Sequence, residues 1–175
     1  MSKILVTYAS RTGWTPGVAE TIGKVFGEGG DQVDVLPMEK VGDLSSYQVV
    51  VAGSAIQNKQ WLPEALQFIR THQAELARKP FAAFLVCLTL AMKNGEAYRP
   101  MVQEFMAPVR RLVKPVSEGC FAGGLEVRRL PSLGSRINFR LSILIGIWEQ
   151  GDHRDWDAIR SWAEELRKKL PQSGS

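Results

Sequence analysis

The sequence predicts a single α/β domain, in which a parallel sheet is covered by helices on both faces. Short apolar runs alternate with amphipathic segments along the chain, and this alternation is typical of β–α–β units. Two of the runs, at 47–54 with three consecutive valines and at 81–88 with no polar residue, have the pattern of strands buried on both faces. A chain of 175 residues is long enough for one domain that buries about 70% of its unfolded surface.

Local signals place the elements in order. Pro16 favours the first turn of a helix with Thr15 as its N-cap, and the pair Gly29-Gly30 ends that helix. We predict five strands, at 3–8, 32–37, 47–54, 81–88 and 121–125. We predict four helices, at 16–26, 63–76, 98–113 with an interruption near Pro108, and 156–170 after Asp155.

The domain is predicted to span residues 1–170, followed by a disordered tail at 171–175. One connection is anomalous, because residues 126–152 lie between the fifth strand and the last helix where 2–6 residues are usual. We call this segment the insertion. No apolar run reaches the ~18 residues of a membrane span, and a strand begins almost at the N-terminus, where a signal peptide would lie. A cytoplasmic protein is expected.

The two cysteines are expected to be buried thiols on separate parallel strands. Cys87 falls near the end of its predicted strand and Cys120 near the start of its own. An offset of about six residues, at ~3.3 Å each, places them about 20 Å apart, too far for a disulfide.

Positive charge is concentrated in one part of the chain. Residues 107–140 hold seven arginines and lysines against two glutamates, a net charge of +5, whereas the rest of the chain sums to −1. A local basic region indicates an anionic partner such as a lipid surface or an acidic ligand. The adjoining run 137–148 is too apolar for an ordinary nucleic-acid interface, so we expect no nucleic acid.

The turn after the first strand carries the strongest chemical signal. Ser10, Thr12 and Thr15 place three hydroxyls around Gly13 between a strand and a helix, where backbone N–H groups and the helix dipole favour a phosphate. The turn lacks both the lysine of a nucleoside-triphosphate loop and the G-x-G-x-x-G dinucleotide pattern. These features suit a phosphate monoester that is held and not transferred, such as that of flavin mononucleotide (FMN). An ordinary loop with a Thr-Pro helix start is the alternative.

Two further loops are expected at the same edge of the sheet, because ligands of open α/β sheets bind beyond the carboxyl ends of the strands. They are 53–58, after the third strand, and 88–92, after the fourth. Both can offer an apolar slot and backbone groups to a flavin ring. Trp14 and Trp61 are candidates to flank the ring, although either can equally belong to the core.

The strand order, the turn 10–15 and Ala19 on the first helix resemble the flavodoxins over the whole chain. The resemblance implies a flavodoxin-like three-layer α/β/α sandwich, with a five-stranded parallel sheet in the order 2-1-3-4-5 and FMN at its carboxyl edge. Residues that the resemblance assigns to the cofactor are Ser10, Arg11, Thr12, Gly13, Trp14, Thr15, Ser54, Ala55, Ile56, Gln57, Asn58, Leu88, Thr89, Leu90 and Ala91.

The chain also departs from electron-carrier flavodoxins, which are acidic, whereas its sequence pI is about 9.2. Five features look more like the menaquinone-dependent protoporphyrinogen oxidases, a flavodoxin-fold branch: the segments 53–56, 86–91 and 122–125, the basic and aliphatic insertion, and Asp155-Trp156. This resemblance implies oxidation of protoporphyrinogen IX, with electrons passing through FMN to a membrane quinone.

The run 137–148 within the insertion fits two periods. Apolar residues at every odd position from 137 to 147 favour a strand, whereas a helix would carry one stripe with Ile137 and Leu141 and another with Phe139 and Ile143; the resemblance favours the helix. The run is either a buried insertion or dimer contact, or a membrane-surface element on the inner face of the cell membrane. In the second case four arginines would meet lipid phosphates or substrate: Arg128, Arg129, Arg136 and Arg140.

No catalytic acid, nucleophile or metal cluster stands out in the sequence, which fits an enzyme whose cofactor carries the chemistry. Three other functions stay open. They are a flavodoxin acting as a one-electron carrier, an NAD(P)H:quinone reductase, and a membrane-associated flavin-binding module without enzymatic activity.

Overall fold

Five parallel strands form the centre of the molecule in the computed structural model, which describes residues 1–170. The sheet order is β2-β1-β3-β5-β6, and the short β4 adds antiparallel to the end of β3. This order corresponds to the predicted 2-1-3-4-5 and confirms the fold class. The strands of this sheet are β1 (Lys3–Ala9), β2 (Gln32–Pro37), β3 (Val49–Gln57), β4 (Gln60–Trp61), β5 (Phe81–Cys87) and β6 (Ser117–Ala122).

Helices cover both faces of the sheet. Side chains alternate along the central strands, so that Val50 and Leu85 belong to one apolar core while Val51 and Phe84 belong to the other. The first core packs against α2 and α5, and the second against α1 and α7. The helices are α1 (Thr15–Glu28), α2 (Pro63–Thr71), α3 (Gln73–Leu76), α4 (Arg99–Gln103), α5 (Ala107–Leu112), α6 (Leu133–Leu144) and α7 (Trp156–Lys169).

The predicted helix at 98–113 is divided, as expected, close to Pro108. A single 3₁₀ turn at Glu104–Met106 separates α4 from α5, and α2 is likewise separated from α3 at His72. The predicted tail at 171–175 lies outside the described residues.

The fifth parallel strand begins at Ser117, four residues earlier than predicted. Its register pairs Cys120 with Leu85, two residues before Cys87, so the cysteines lie about 7 Å apart along the strands and one strand spacing of about 4.8 Å across. The expected separation of 20 Å was therefore wrong. Cys87 is buried and Cys120 half-buried, and both are free thiols. Burial raises the pKa of Cys120 to about 11.

Residues 124–125, predicted as the end of the fifth strand, instead form β7 (Gly124–Leu125) in a separate ribbon. Strand β7 pairs antiparallel with β8 (Gly151–Asp152). The two strands close the base of the insertion, because β7 directly precedes its first residue and β8 contains its last two.

The run 137–148, whose sequence fits both a strand and a helix, is helical as far as Leu144, where α6 ends. The side chain of Ser132 caps it by accepting a hydrogen bond from the N–H of Ser135 at 3.1 Å, and this cap lies outside the run used for the prediction. No residue of α6 is buried, so of the alternatives for this run the dimer contact and the membrane-surface element stay open, whereas burial within the chain does not.

Candidate functional site

A cavity of about 430 Å³ lies at the carboxyl ends of β1, β3 and β5, where open α/β sheets bind their ligands. Its volume is within the range of sites for small molecules and cofactors. Four segments form most of its wall: the turn 10–15, which we call the phosphate loop, the β3–β4 hairpin, the segment after β5, and the insertion.

The phosphate loop contributes four of the predicted residues to the cavity wall: Arg11, Thr12, Trp14 and Thr15. Ser10 and Gly13 lie outside the wall and shape the turn instead. Gly13 has a φ of +80°, which favours glycine, and its N–H donates to Ser10 Oγ at 3.2 Å.

Thr15 was predicted to precede α1 as its N-cap, but it is the first residue of the helix. The N-cap is Trp14, without a side-chain hydrogen bond. The residue Thr15 is 1% exposed, and its Oγ1 has no hydrogen-bond partner among the described residues. A buried hydroxyl normally has a partner. Here it lies at a helix N-terminus, whose first N–H groups also lack intrahelical partners.

The β3–β4 hairpin contributes Ala55, Ile56, Gln57 and Asn58 to the wall, together with Lys59. Asn58 and Lys59 form the two-residue turn, with φ of 51° and 61°, and Lys59 is exposed. Ser54, which was predicted to face the cofactor, lies outside the cavity because its hydroxyl is used within the hairpin. It accepts from the N–H of Leu62 at 3.0 Å and donates to the carbonyl of Ala55 at 2.8 Å.

The segment after β5 is only partly at the cavity. Leu88 and Thr89 line it, whereas the predicted Leu90 and Ala91 do not. Leu90 is 7% exposed and packs in the core that faces α2 and α5. A 3₁₀ turn at Leu88–Ala91 points successive side chains in different directions, and the sequence reasoning assigned no conformation to this loop.

The insertion supplies a wall that sequence reasoning did not assign to the cavity. Its lining residues include Leu130, Ser135, Phe139 and Trp148. The rings of Phe139 and Trp148 are 5.8 Å apart and tilted by 56°. Ser135 and Phe139 are four residues apart on α6 and therefore share one of its faces. The helical period of the sequence was the signal that could have found these residues. It does not show which of the two apolar stripes faces the domain.

Two guanidinium groups lie close to the ring of Trp14. Arg129 is 4.7 Å and Arg154 is 5.0 Å from the centroid of its ring, within the range of cation–π contacts. A Cβ added to Gly124 would lie 2.7 Å from the indole, so the ring also packs on bare backbone there. Trp61, the other candidate to flank the flavin, is 2% exposed and belongs to the core, which is the alternative that the sequence left open for it.

The four arginines predicted to form one surface patch have different surroundings. Arg136 donates to the carbonyls of Leu130 at 2.9 Å and Arg128 at 3.2 Å, so it stabilises the insertion itself. Arg129 faces the phosphate loop. Only Arg128 and Arg140 are exposed without a hydrogen bond or ion pair from their side chains to the described residues.

Arg154 is a site residue that the sequence reasoning missed. Its guanidinium donates to the carbonyl of Trp14 at 3.0 Å and to both carboxylate oxygens of Asp152 at 2.8 and 2.7 Å. It also lies 4.4 Å from the centroid of Trp156. The hydrogen bond from Arg154 holds the pKa of Asp152 below its ordinary value, although burial acts in the opposite direction.

Arg11 forms a two-pronged ion pair with Glu64 at the start of α2, in which Nη2 donates to Oε2 at 2.9 Å and Nη1 to Oε1. Burial raises the pKa of Glu64, but the hydrogen bond and charge of Arg11 outweigh it and the pKa lies below its ordinary value. The pair neutralises a cation beside the phosphate loop.

Among residues 1–170, no group of histidine, cysteine, aspartate and glutamate side chains is arranged to hold a metal ion. The helices in the same part of the chain are all too short or too polar to cross a membrane.

The fold and this cavity define a flavin-binding α/β domain, and comparison with known proteins identifies its family. Residues 5–146 match the family model described as a flavodoxin domain. The chain therefore belongs to the flavodoxin family, whose cofactor is FMN. No curated protein matches the chain by sequence.

Solved structures show the same fold at low identity. Oxidised flavodoxin 2 from Bacillus cereus is 21% identical with a TM-score of 0.61, over 97% of this chain and 100% of that chain. A short-chain flavodoxin associated with a bacterial microcompartment is 16% identical with a TM-score of 0.62, over 98% of this chain and 100% of that chain. The apo form of the NADH:FMN oxidoreductase EMOB is 12% identical with a TM-score of 0.59, over 99% and 92%.

The residues present fit FMN. The unpartnered hydroxyl of Thr15, the tight turn at Gly13 and the N-terminus of α1 offer donors to a phosphate. The adjoining wall, with Ile56 and Leu88, is apolar and suits a planar ring.

Proposed function

We propose that this protein is an FMN-dependent oxidoreductase that oxidises a reduced tetrapyrrole of the protoporphyrinogen type and passes the electrons to a membrane quinone. The observation that carries the proposal is the double role of α6. One face of this helix completes the wall of the flavin cavity, and the opposite face presents apolar side chains to the solvent.

The cavity face of α6 supports a large apolar substrate. Phe139 and Trp148 add aromatic surface to a wall in which Ile56 and Leu88 are already apolar. Lys59 lies on the same wall, exposed, with no hydrogen bond or ion pair from its side chain to the described residues. A cation at this place can bind the propionate carboxylates of a tetrapyrrole.

The outer face of α6 supports a position at an anionic membrane. Leu133, Ile137, Leu141 and Leu144 form one stripe, and their side chains are between 56% and 81% exposed. The exposed Arg140 borders this stripe, and Arg128 lies just before the helix. An apolar stripe beside uncommitted cations fits an interfacial helix on anionic lipid, where a quinone would be within reach of the cavity.

Bound FMN supplies the redox chemistry, and this chain supplies position and shape. Each pair of electrons removed from the tetrapyrrole reduces one quinone to its quinol. The phosphate loop would hold the cofactor at the sheet edge, Phe139 and Trp148 of the insertion would exclude water from one side, and Lys59 would orient the anionic edge of the substrate.

Anaerobic mixing of the FMN-loaded protein with protoporphyrinogen IX tests the proposal, with the visible flavin absorbance as the readout. We expect bleaching, and return of the colour on addition of menaquinone. Failure to bleach in a sample that dithionite does reduce would contradict the proposed substrate.

A one-electron carrier is the second candidate, and membership of the flavodoxin family favours it. It predicts no bleaching by protoporphyrinogen IX and rapid exchange of electrons with a protein partner. Bleaching by NADH or NADPH would instead support a quinone reductase.

A further inference from the structure

The phosphate loop contains no lysine, and both terminal nitrogens of its own Arg11 are bound to Glu64. A different cation reaches the loop from the insertion. Arg129 Nη1 lies 3.4 Å from the carbonyl oxygen of Thr12 and 3.5 Å from the position that a Cβ on Gly13 would occupy. Arg129 belongs to a 3₁₀ turn at Val127–Arg129, more than one hundred residues away in the sequence.

We propose that Arg129 binds the phosphate of FMN and thereby couples cofactor binding to docking of the insertion on the phosphate loop. The proposal rests on FMN binding at this loop. The cation at the phosphate site then comes from the insertion. Binding of FMN and docking of the insertion, with its substrate-facing helix α6, would therefore favour each other.

The hydrogen bonds of Arg129 leave it able to take an anion. Its Nε is paired with Glu126 at 2.6 Å and its Nη1 with the carbonyl of Thr12, so that Nη2 has no partner among the described residues. The side chain is 46% exposed. A guanidinium has five donors in a planar fork, and its hydrogen bonds to phosphate are charge-assisted.

The neighbouring arginines are not available for this role. Arg154 is held by Asp152 and the carbonyl of Trp14, with 13% of its side chain exposed. Arg136 is held by two backbone carbonyls, and Arg128 makes no hydrogen bond to the loop within the described part of the chain. Arg129 therefore combines proximity to the loop with uncommitted donors.

Docking of the insertion depends on a small number of such contacts. No residue of α6 is buried, and the base of the insertion is held by the short β7–β8 ribbon and a hydrogen bond from the N–H of Val127 to Gln150 Oε1 at 3.3 Å. Segments with few buried contacts open at low free energy. A phosphate bound between the loop and Arg129 would add a bond across this junction, and binding free energies are reciprocal.

The test compares FMN with riboflavin, which lacks the phosphate, using the full apoprotein. Flavin affinity is measured by fluorescence quenching for wild type, Arg129→Gln, Arg129→Lys and the control Arg128→Gln. We expect Arg129→Gln to weaken FMN binding at least tenfold and to leave riboflavin affinity unchanged. Arg129→Lys should recover part of the loss, and Arg128→Gln should bind both flavins as wild type does.

Hydrogen exchange of the amides of α6 provides the second readout. FMN should slow exchange in wild type and Arg128→Gln but not in Arg129→Gln, and riboflavin should have little effect in any of them. Equal losses of FMN and riboflavin affinity in Arg129→Gln, or unchanged FMN affinity, would overturn the proposal. A wild-type apoprotein that binds neither flavin would contradict FMN binding at this loop instead, so the two failures are distinguishable.

Discussion

The guanidinium of Arg154 lies 5.0 Å from the indole centroid of Trp14 and donates to the carbonyl of the same residue at 3.0 Å. This relationship joins the segment just after the insertion to the phosphate loop across 140 residues of sequence. Together with Arg129, which contacts Trp14 from the beginning of the insertion, it makes the indole the junction at which the insertion meets the sheet.

Replacement of Arg154 by alanine is expected to destabilise the protein by about 2 kcal/mol, because it leaves the Trp14 carbonyl and the Asp152 carboxylate without their donor. In a domain of this size the melting temperature should fall by about 4–8 °C, which calorimetry or circular dichroism measures. Arg160→Ala is the control, since its ion pair with Asp157 is exposed and should contribute less than ~0.5 kcal/mol. Equal shifts for both variants would contradict a special role of Arg154.

Thr15→Val separates cofactor binding from stability. The hydroxyl of Thr15 is buried without a partner among residues 1–170, so its removal should leave the apoprotein at least as stable while FMN binding weakens about tenfold. Thr7→Val is the matched control, because Thr7 Oγ1 is also buried and unpartnered but lies within β1 and away from the cavity wall. The affinity for FMN is measured by titration into each apoprotein. Equal affinities of the two variants would contradict a role of the Thr15 hydroxyl in binding.

Gly124→Ala should displace the indole of Trp14, because the new methyl group would lie 2.7 Å from the ring. Overpacking of this kind costs about 1–3 kcal/mol, and the near-ultraviolet circular dichroism of the tryptophan should change. Gly134→Ala is the same substitution on α6 with nothing within 4 Å of the new Cβ, and we expect it to be neutral or slightly stabilising. An unchanged tryptophan signal in Gly124→Ala would refute the close packing.

The outer stripe of α6 is expected to bind anionic lipid. Ile137→Ser with Leu141→Ser should reduce sedimentation with phosphatidylglycerol vesicles at least tenfold, with little effect on stability, because both side chains are more than half exposed. Val116→Ser removes an apolar side chain that is 49% exposed outside the insertion and serves as the control. The dimer contact would be favoured instead if the wild-type protein does not bind these vesicles and is a dimer in analytical ultracentrifugation, while the double variant is a monomer.

Cys120 gives a prediction for alkaline pH. Burial raises its pKa from 9.0 to about 11, so the stability tied to the neutral thiol is complete below pH 9 and is lost as the pH rises from 9 to 11. Urea unfolding between pH 8 and 10 should show a falling free energy of unfolding, and the fall should be shallower in Cys120→Ala. The interval stops at pH 10 because Tyr47 also affects the free energy of unfolding at higher pH. Burial and the neighbouring Asp34 raise the pKa of Tyr47 to about 12.

Much of the candidate site was predictable because it depends on local chemistry. The turn 10–15 and the hairpin after β3 follow directly on apolar strands, and parallel strands bring their carboxyl ends to one edge. Ser54 and Leu90, which were assigned to the cofactor, lie outside the cavity wall for a tertiary reason. Ser54 meets the N–H of Leu62, and a 3₁₀ turn directs Leu90 into the core.

The sequence by itself determined the sheet, its helical layers and the position of the phosphate loop, since these rest on hydrophobic period, proline and glycine signals within a few residues. Tertiary structure decided the surroundings of the insertion. Whether Phe139 or Ile137 faces the domain, and whether Arg129 meets lipid or the phosphate loop, depends on which surface α6 packs against. That choice is made by contacts between residues more than one hundred positions apart, which no local period encodes.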